Sequence, residues 1–129
     1  MFKKTITYTD FNGNERTEDF YFHLSKAELA EMDLSKAGGF QAYIERIIAA
    51  EDRETMVAIF KDIILKTYGE KDETGKRFIK SEDLSTAFSQ TPAYSELFME
   101  LVSDSDAAAA FINGVVPEDI REKAKQLEG

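Results

Sequence analysis

Apolar and polar residues alternate in two runs near the start of the chain. The apolar members of these runs are Phe2, Ile6, Tyr8, Phe20, Phe22 and Leu24. A period of two is typical of β-strands that bury one face. The dipeptide Asn12-Gly13 lies between the runs and favours a tight turn. The sequence therefore predicts an antiparallel β-hairpin over residues 2–24.

The turn determines how the two strands pair. A two-residue loop would set apolar residues of one strand opposite polar residues of the other, because a shift of one residue moves every side chain to the other face. A three-residue loop of Phe11, Asn12 and Gly13, with Gly13 in the left-handed conformation, aligns the apolar faces. We therefore expect the register in which Phe2 lies opposite Phe22.

The next part of the chain has the spacing of amphipathic helices. Ser25 and Glu28 are spaced as a capping box, which predicts that a short helix begins here. The two glycines that follow Ala37 are predicted to end this helix. Two helices with one apolar face each are predicted to follow. Their apolar positions are Phe40, Tyr43, Ile44, Ile47 and Ile48, and then Met56, Val57, Phe60, Ile63 and Ile64. Gly69 is predicted to end the second of these helices.

A polar loop around Gly75 separates these helices from the remaining ones. A few extended residues are expected at 77–79, just after the glycine. Ser81 is a suitable N-cap for the next helix, and Thr91-Pro92 provides the N-cap and first residue of another. Both signals predict where a helix begins.

The last part of the chain contains the run Ala107–Ala110, which has two interpretations. Alanine favours helices and close packing of helices; alternatively, the run offers a smooth patch on which a partner helix docks. This helix is predicted to end at Gly114. Pro117 opens a last helix whose apolar positions are Ile120 and Leu127.

The predicted fold class is α+β. An N-terminal two-stranded β-hairpin (2–24) is followed by five to six short, mostly amphipathic α-helices (25–128), in a single domain of residues 1–129. Each strand of an isolated hairpin has one unpaired edge. Residues 77–79, another subunit or a partner protein are the candidates that would cover such an edge.

The composition and charge of the chain disfavour several classes of function. The chain has 129 residues, 43% of them hydrophobic, and a net charge of −9. The charge disfavours binding to nucleic acid, which needs clustered lysine and arginine. Acidic and basic residues interleave, which indicates a solvated surface; mimicry of DNA by an acidic inhibitor is the alternative.

No cysteine, signal peptide or membrane span is recognisable, so we expect a cytoplasmic protein.

Candidate chemistry is sparse. His23 is the single histidine and lies on the polar face of a predicted strand, so we expect a surface residue and not a catalytic base. The loop around Gly75 has acidic residues as in an EF-hand, but Ser81 stands where the last bidentate glutamate is needed. Phosphate-binding glycine motifs are lacking. We therefore predict no catalytic residue, no metal site, no cofactor and no small-molecule substrate.

Three stretches together resemble a known family. They are KKTITYTDFNGNERTEDFYFHLSKAELAEM, IFKDIILKTYGEKDETGKRFIKSEDLSTAFSQTPAYSELFMELVSD and AAAAFINGVVP. From Lys3 to Pro117, the chain resembles the tail assembly chaperones of tailed phages and prophages of Gram-positive bacteria. The resemblance rests on the order of hairpin, helices and acidic balance.

This resemblance implies a non-enzymatic protein of the host bacterial cytoplasm. Such chaperones bind the helix-rich tape measure protein and keep it soluble during tail assembly, and they can self-associate. Two other functions remain open: a small structural or adaptor protein of the phage particle, such as a tail completion component, and an acidic inhibitor of a host defence enzyme. If the chain is a chaperone, the expected partner-binding residues are Phe11, Tyr21, Ile120 and Leu127.

Overall fold

A computed structural model describes residues 1–31 and 53–117 of the chain. The helices and strands in these residues are β1 (Phe2–Thr9), β2 (Glu15–Phe22), α1 (Lys26–Glu31), α2 (Arg53–Thr67), β3 (Tyr68–Lys71), β4 (Phe78–Ile79), α3 (Glu82–Ser89), α4 (Pro92–Ser103) and α5 (Ser105–Val115). The helices predicted over 40–48 and after Pro117 lie outside the described residues. The α+β class is confirmed.

The N-terminal hairpin has the predicted register. Phe2 lies opposite Phe22, and the pairing continues to Thr9 opposite Glu15. The Asp10 N–H donates to the Asn14 carbonyl at 2.8 Å, which closes a three-residue loop. Gly13 has a φ of 84°, the left-handed conformation that glycine adopts without steric cost. The apolar pattern of the strands thus predicted their alignment correctly.

The prediction of only two strands is wrong. The described residues form a four-stranded antiparallel sheet in the order β1-β2-β3-β4. Gly69 does not follow the end of α2 as a cap; it lies in β3, opposite Tyr21. The extended residues expected at 77–79 do form a strand, but Phe78 pairs with Lys71 of β3. The strand that covers the hairpin edge is therefore β3, and β4 continues the sheet.

One buried threonine joins helix α2 to the sheet. Thr67 is fully buried, and its hydroxyl donates to the carbonyls of Ile63 and Ile64 at 2.7 and 3.2 Å. Its own carbonyl accepts the N–H of His23 at 2.8 Å. The end of α2 is therefore fixed against β2, and the chain enters β3 without a loop.

The N-caps of α1, α3 and α4 are those that the sequence predicts. Ser25 and Glu28 form the predicted capping box, with bonds of 3.0 and 3.1 Å. The hydroxyls of Ser81 and Thr91 each accept the backbone N–H three residues on. Each of these helices begins at the predicted position because a side chain accepts a hydrogen bond from its first turn.

Two sequence assignments near the core need correction. Gly114 was expected to end its helix, but α5 continues to Val115. At Gly114 a Cβ would lie 2.5 Å from Cδ2 of Phe2, so the glycine allows β1 to approach α5 closely. Val57 was assigned to the apolar face of α2, yet 37% of it is exposed.

The core lies between the sheet and the helices and is rich in aromatic rings. Phe22 is completely buried, and its ring centroid lies 5.2 Å from that of Phe111 and 5.8 Å from those of Tyr68 and Phe88. Tyr68 and Phe88 are stacked at 4.2 Å. The inner face of the hairpin is thus covered by helices, whereas its outer face carries mainly exposed polar side chains. The prediction of one domain over residues 1–129 stays a prediction.

Candidate partner-binding surface

The tip of the β1–β2 hairpin presents an exposed aromatic ring. Phe11 is 84% exposed, whereas the exposed fraction of any other large hydrophobic residue in the described ranges is at most 54%. A phenylalanine in water leaves a large apolar area unburied, and burial of that area stabilises a complex. The structure therefore places one of the four predicted contact residues where a partner can reach it.

The backbone that carries Phe11 is held by one carboxylate. Asp10 accepts the backbone N–H groups of Asn12 and Asn14, both at 2.9 Å, and the Nε–H of Arg16 at 2.6 Å. The hydrogen bond from Arg16, followed by that from the Asn14 N–H, lowers the pKa of Asp10. The turn that carries Phe11 is thus held by three hydrogen bonds to one carboxylate.

Tyr21 lies at the other end of the hairpin. It is half-buried on the outer face of the sheet, and Nζ of Lys71 lies 4.2 Å from its ring centroid. This contact is a cation–π interaction between β2 and β3. Tyr21 is six steps along β2 from Glu15, which corresponds to roughly 20 Å. The structure therefore does not bring Phe11 and Tyr21 into one site, and Ile120 and Leu127 lie outside the described residues.

A groove between α2 and α3 is a second accessible surface. Its volume is about 630 Å³, and Ala58 and Leu65 are its apolar lining residues. Ser85 also lines it, and the Ser85 hydroxyl donates to the Leu65 carbonyl at 2.8 Å, which joins α3 to α2. The lysines along it are Lys61, Lys66 and Lys80. Sequence analysis missed this groove, because no helix period shows which two helices are neighbours.

Metal ligation and membrane insertion find no support in the described residues. Among residues 1–31 and 53–117, no group of three histidine, cysteine, aspartate or glutamate side chains has the geometry to hold a metal ion. Within the same ranges, the helices are too short or too polar to cross a membrane.

The comparison with protein families identifies the chain. The model of the family described as phage tail assembly chaperone matches residues 1–128. The chain belongs to the phage tail assembly chaperone family. Searches of curated proteins and of solved structures found no match. The family is one of chaperones, so the accessible surfaces of this chaperone are of more interest than a catalytic centre.

The single histidine of the chaperone is not the surface residue that was expected. His23 is half-buried, its ring meets Phe78 edge-on at 6.1 Å, and Nδ1 is buried without a hydrogen-bond partner in the described part of the chain. Burial lowers the pKa of His23, and the positive charges of the amino terminus and Lys80 lower it further, while Glu28 raises it. The folded chaperone thus favours the neutral imidazole.

We expect the stability of the chaperone to decrease as the pH falls below about 6.5, the ordinary pKa of histidine. In that range the unfolded state takes up a proton that the folded state resists, so unfolding becomes more favourable until the folded state is also protonated. Urea titrations at several pH values would measure this slope. His23→Gln cannot titrate and should give a flatter profile; equal slopes for both proteins would contradict the prediction.

Proposed function

We propose that this chaperone binds a helix-rich segment of the tape measure protein in the cytoplasm of the bacterial host and keeps it soluble during tail assembly. Membership of the tail assembly chaperone family supports a phage tail protein as partner. The chaperone acts by binding and not by catalysis. Tyr21, Ile120 and Leu127 remain predicted contacts.

The observation that carries this proposal is the presentation of Phe11. A ring that is 84% exposed on a turn held by Asp10 is a rigid apolar anchor. Binding energy in protein interfaces is concentrated in a few such residues, aromatic ones in particular. An apolar stripe on a tape measure helix would bury this ring and in turn be shielded from water.

The groove between α2 and α3 provides a second contact for a helix. Helix-binding grooves are apolar along the floor and polar along the rim. Here Ala58 and Leu65 are apolar, and the charged lining residues include Asp62 and Glu82 as well as three lysines, two of which pair with Asp62 and Glu28. An amphipathic helix with charged residues of both signs beside its apolar stripe matches this arrangement.

We expect Phe11→Ala to weaken binding of the tape measure protein by about 2 kcal/mol or more, the loss typical of an aromatic hot spot. The fold should be unaffected, because Phe11 is exposed. The measurement is calorimetric titration of the purified variant with a soluble tape measure fragment. Glu73→Ala, at the exposed tip of the β3–β4 hairpin, is the matched control and should bind as the wild type does.

The groove is tested separately. Ala58→Glu places a longer, charged side chain in it, whereas Ala87→Glu makes the same change on an exposed part of α3 that does not line it. Full binding by Ala58→Glu would remove the groove from the proposal.

Failure of the wild-type protein to bind any tape measure fragment would overturn the proposed function. Presence of this protein in purified phage particles would favour a tail completion component.

A further inference from the structure

Strand β1 forms one edge of the sheet in the described part of the chain. The Asp10 N–H bonds to Asn14, so the even-numbered residues of β1 direct their backbone groups to β2. The odd-numbered residues then direct theirs away from the sheet. These are Lys3, Thr5, Thr7 and Thr9. Among residues 1–31 and 53–117, no strand pairs with this side of β1, so a row of N–H and C=O groups faces outward along its eight residues.

The opposite edge of the hairpin is shorter. Strand β3 pairs with β2 at Tyr21 and Phe22. The part of β2 from Glu15 to Glu18 has no neighbour on that side among residues 1–31 and 53–117, and it carries two acidic residues. An exposed edge takes up another strand most readily where it is long and free of bulges and proline, as β1 is.

We propose that β1 pairs in antiparallel fashion with β1 of a second copy of this chain, about a two-fold axis, so that two sheets become one. This inference concerns a surface other than Phe11 and the α2–α3 groove, and it does not depend on the proposed function. Antiparallel pairing of identical strands satisfies both edges with one symmetric contact.

The distribution of charge along β1 favours a second copy as the occupant. Lys3 lies near its start, whereas two acidic residues and one basic residue, Asp10, Glu15 and Arg16, lie near the turn at its other end. Antiparallel pairing brings the basic end of each copy to the acidic end of the other, which favours this orientation. The centre of the strand is uncharged and rich in threonine, a residue that packs well between strands.

A groove beside β1 would receive side chains of the second copy. Its volume is about 360 Å³, and it lies between β1 and α4, with Ile6, Leu97 and Met99 among its lining residues. Met99 is 54% exposed. An ion pair of 2.8 Å from Nζ of Lys4 to Glu100 crosses from the strand to the helix. An added strand would extend the inner face of the sheet over this groove and bury Met99.

The test uses two proline variants that differ only in the edge they affect. Thr7 and Thr17 face each other across the hairpin, with their hydroxyls 3.0 Å apart, and both are exposed. Each directs its N–H away from the other strand, so Thr7→Pro removes a donor from the edge of β1 and Thr17→Pro removes one from the edge of β2. Both variants lose the same threonine contact.

The mass of each protein in solution is measured by sedimentation equilibrium over a dilution series, without any partner. We expect the wild type and Thr17→Pro to have twice the mass of one 14.6 kDa chain, and Thr7→Pro to have the mass of one. A monomeric wild type, or a dimeric Thr7→Pro, overturns the proposal. A monomeric Thr17→Pro beside a dimeric Thr7→Pro also overturns it and assigns the contact to β2.

Circular dichroism verifies that both proline variants are folded. If Thr7→Pro is not, Met99→Lys provides the test without a change in the backbone, since this side chain is more than half exposed. A charge in place of this apolar side chain is expected to raise the dimer dissociation constant at least tenfold. An unchanged dissociation constant overturns the proposal.

Discussion

Replacing Phe22 with alanine is expected to lower the free energy of unfolding by about 3–5 kcal/mol, the usual cost of removing a buried phenylalanine. The side chain is completely buried and contacts rings from three other elements: Tyr68 of β3, Phe88 of α3 and Phe111 of α5. The substitution removes apolar burial and leaves a cavity at the centre of the core. A loss of this size is a large part of the stability of an ordinary domain.

The cavity left by Phe22→Ala cannot close easily. Tyr68 and Phe88 are stacked on each other at 4.2 Å and support each other's positions. Phe111 also packs edge-on against Phe2, with ring centroids 5.3 Å apart. The neighbouring rings therefore have little freedom to fill the space, and such sites show the larger losses among core substitutions.

Chemical denaturation of the wild type and the variant measures this loss, with Tyr21→Ala as the matched control. Tyr21 precedes Phe22 on the same strand but lies on the outer face, where it is half-buried against Lys71. Its removal should cost clearly less. Equal losses at the two positions would mean that the inner face of the hairpin is not the centre of the core.

The parts of the fold that the sequence predicted correctly depend on neighbouring residues. The hairpin register follows from the alternation of Phe2, Ile6 and Tyr8 and from one glycine in the turn. The helix starts at Ser81 and Thr91 follow from side chains that bond to a backbone N–H three residues away. These interactions are complete within a short segment, so a short segment of sequence is enough to predict them.

The parts that the sequence did not predict depend on contacts between distant segments. Strand β3 has four residues and directly continues α2, so neither its length nor a turn marks it. It is a strand because β2 on one side and β4 on the other pair with it. The α2–α3 groove was missed for the same reason. Phe11 was predicted to be an exposed apolar residue of the hairpin, and its exposure is confirmed, whereas its role as a contact residue stays a prediction.

Replacing Gly69 with alanine is expected to destabilise the protein by about 1–3 kcal/mol, the cost of overpacking a close contact. A Cβ at this position would lie 2.6 Å from the carbonyl oxygen of Ile79 and 2.7 Å from the ring of Phe78. The first of these is a backbone atom of a paired strand and cannot rotate away. Strand β3 must therefore shift relative to β4, or the pairing of the two strands is lost.

Gly114→Ala is the matched control, because an added methyl group there would also lie close to a neighbouring residue. Its Cβ would meet the side chain of Phe2, which is only partly buried, and not a backbone atom of a paired strand. Alanine in a helix also recovers up to about 1 kcal/mol relative to glycine. Thermal and urea unfolding should therefore show a smaller loss at Gly114 than at Gly69. The reverse order would contradict the role of Gly69 as the residue that lets β3 and β4 pair, because steric overlap with fixed backbone is what distinguishes the two sites.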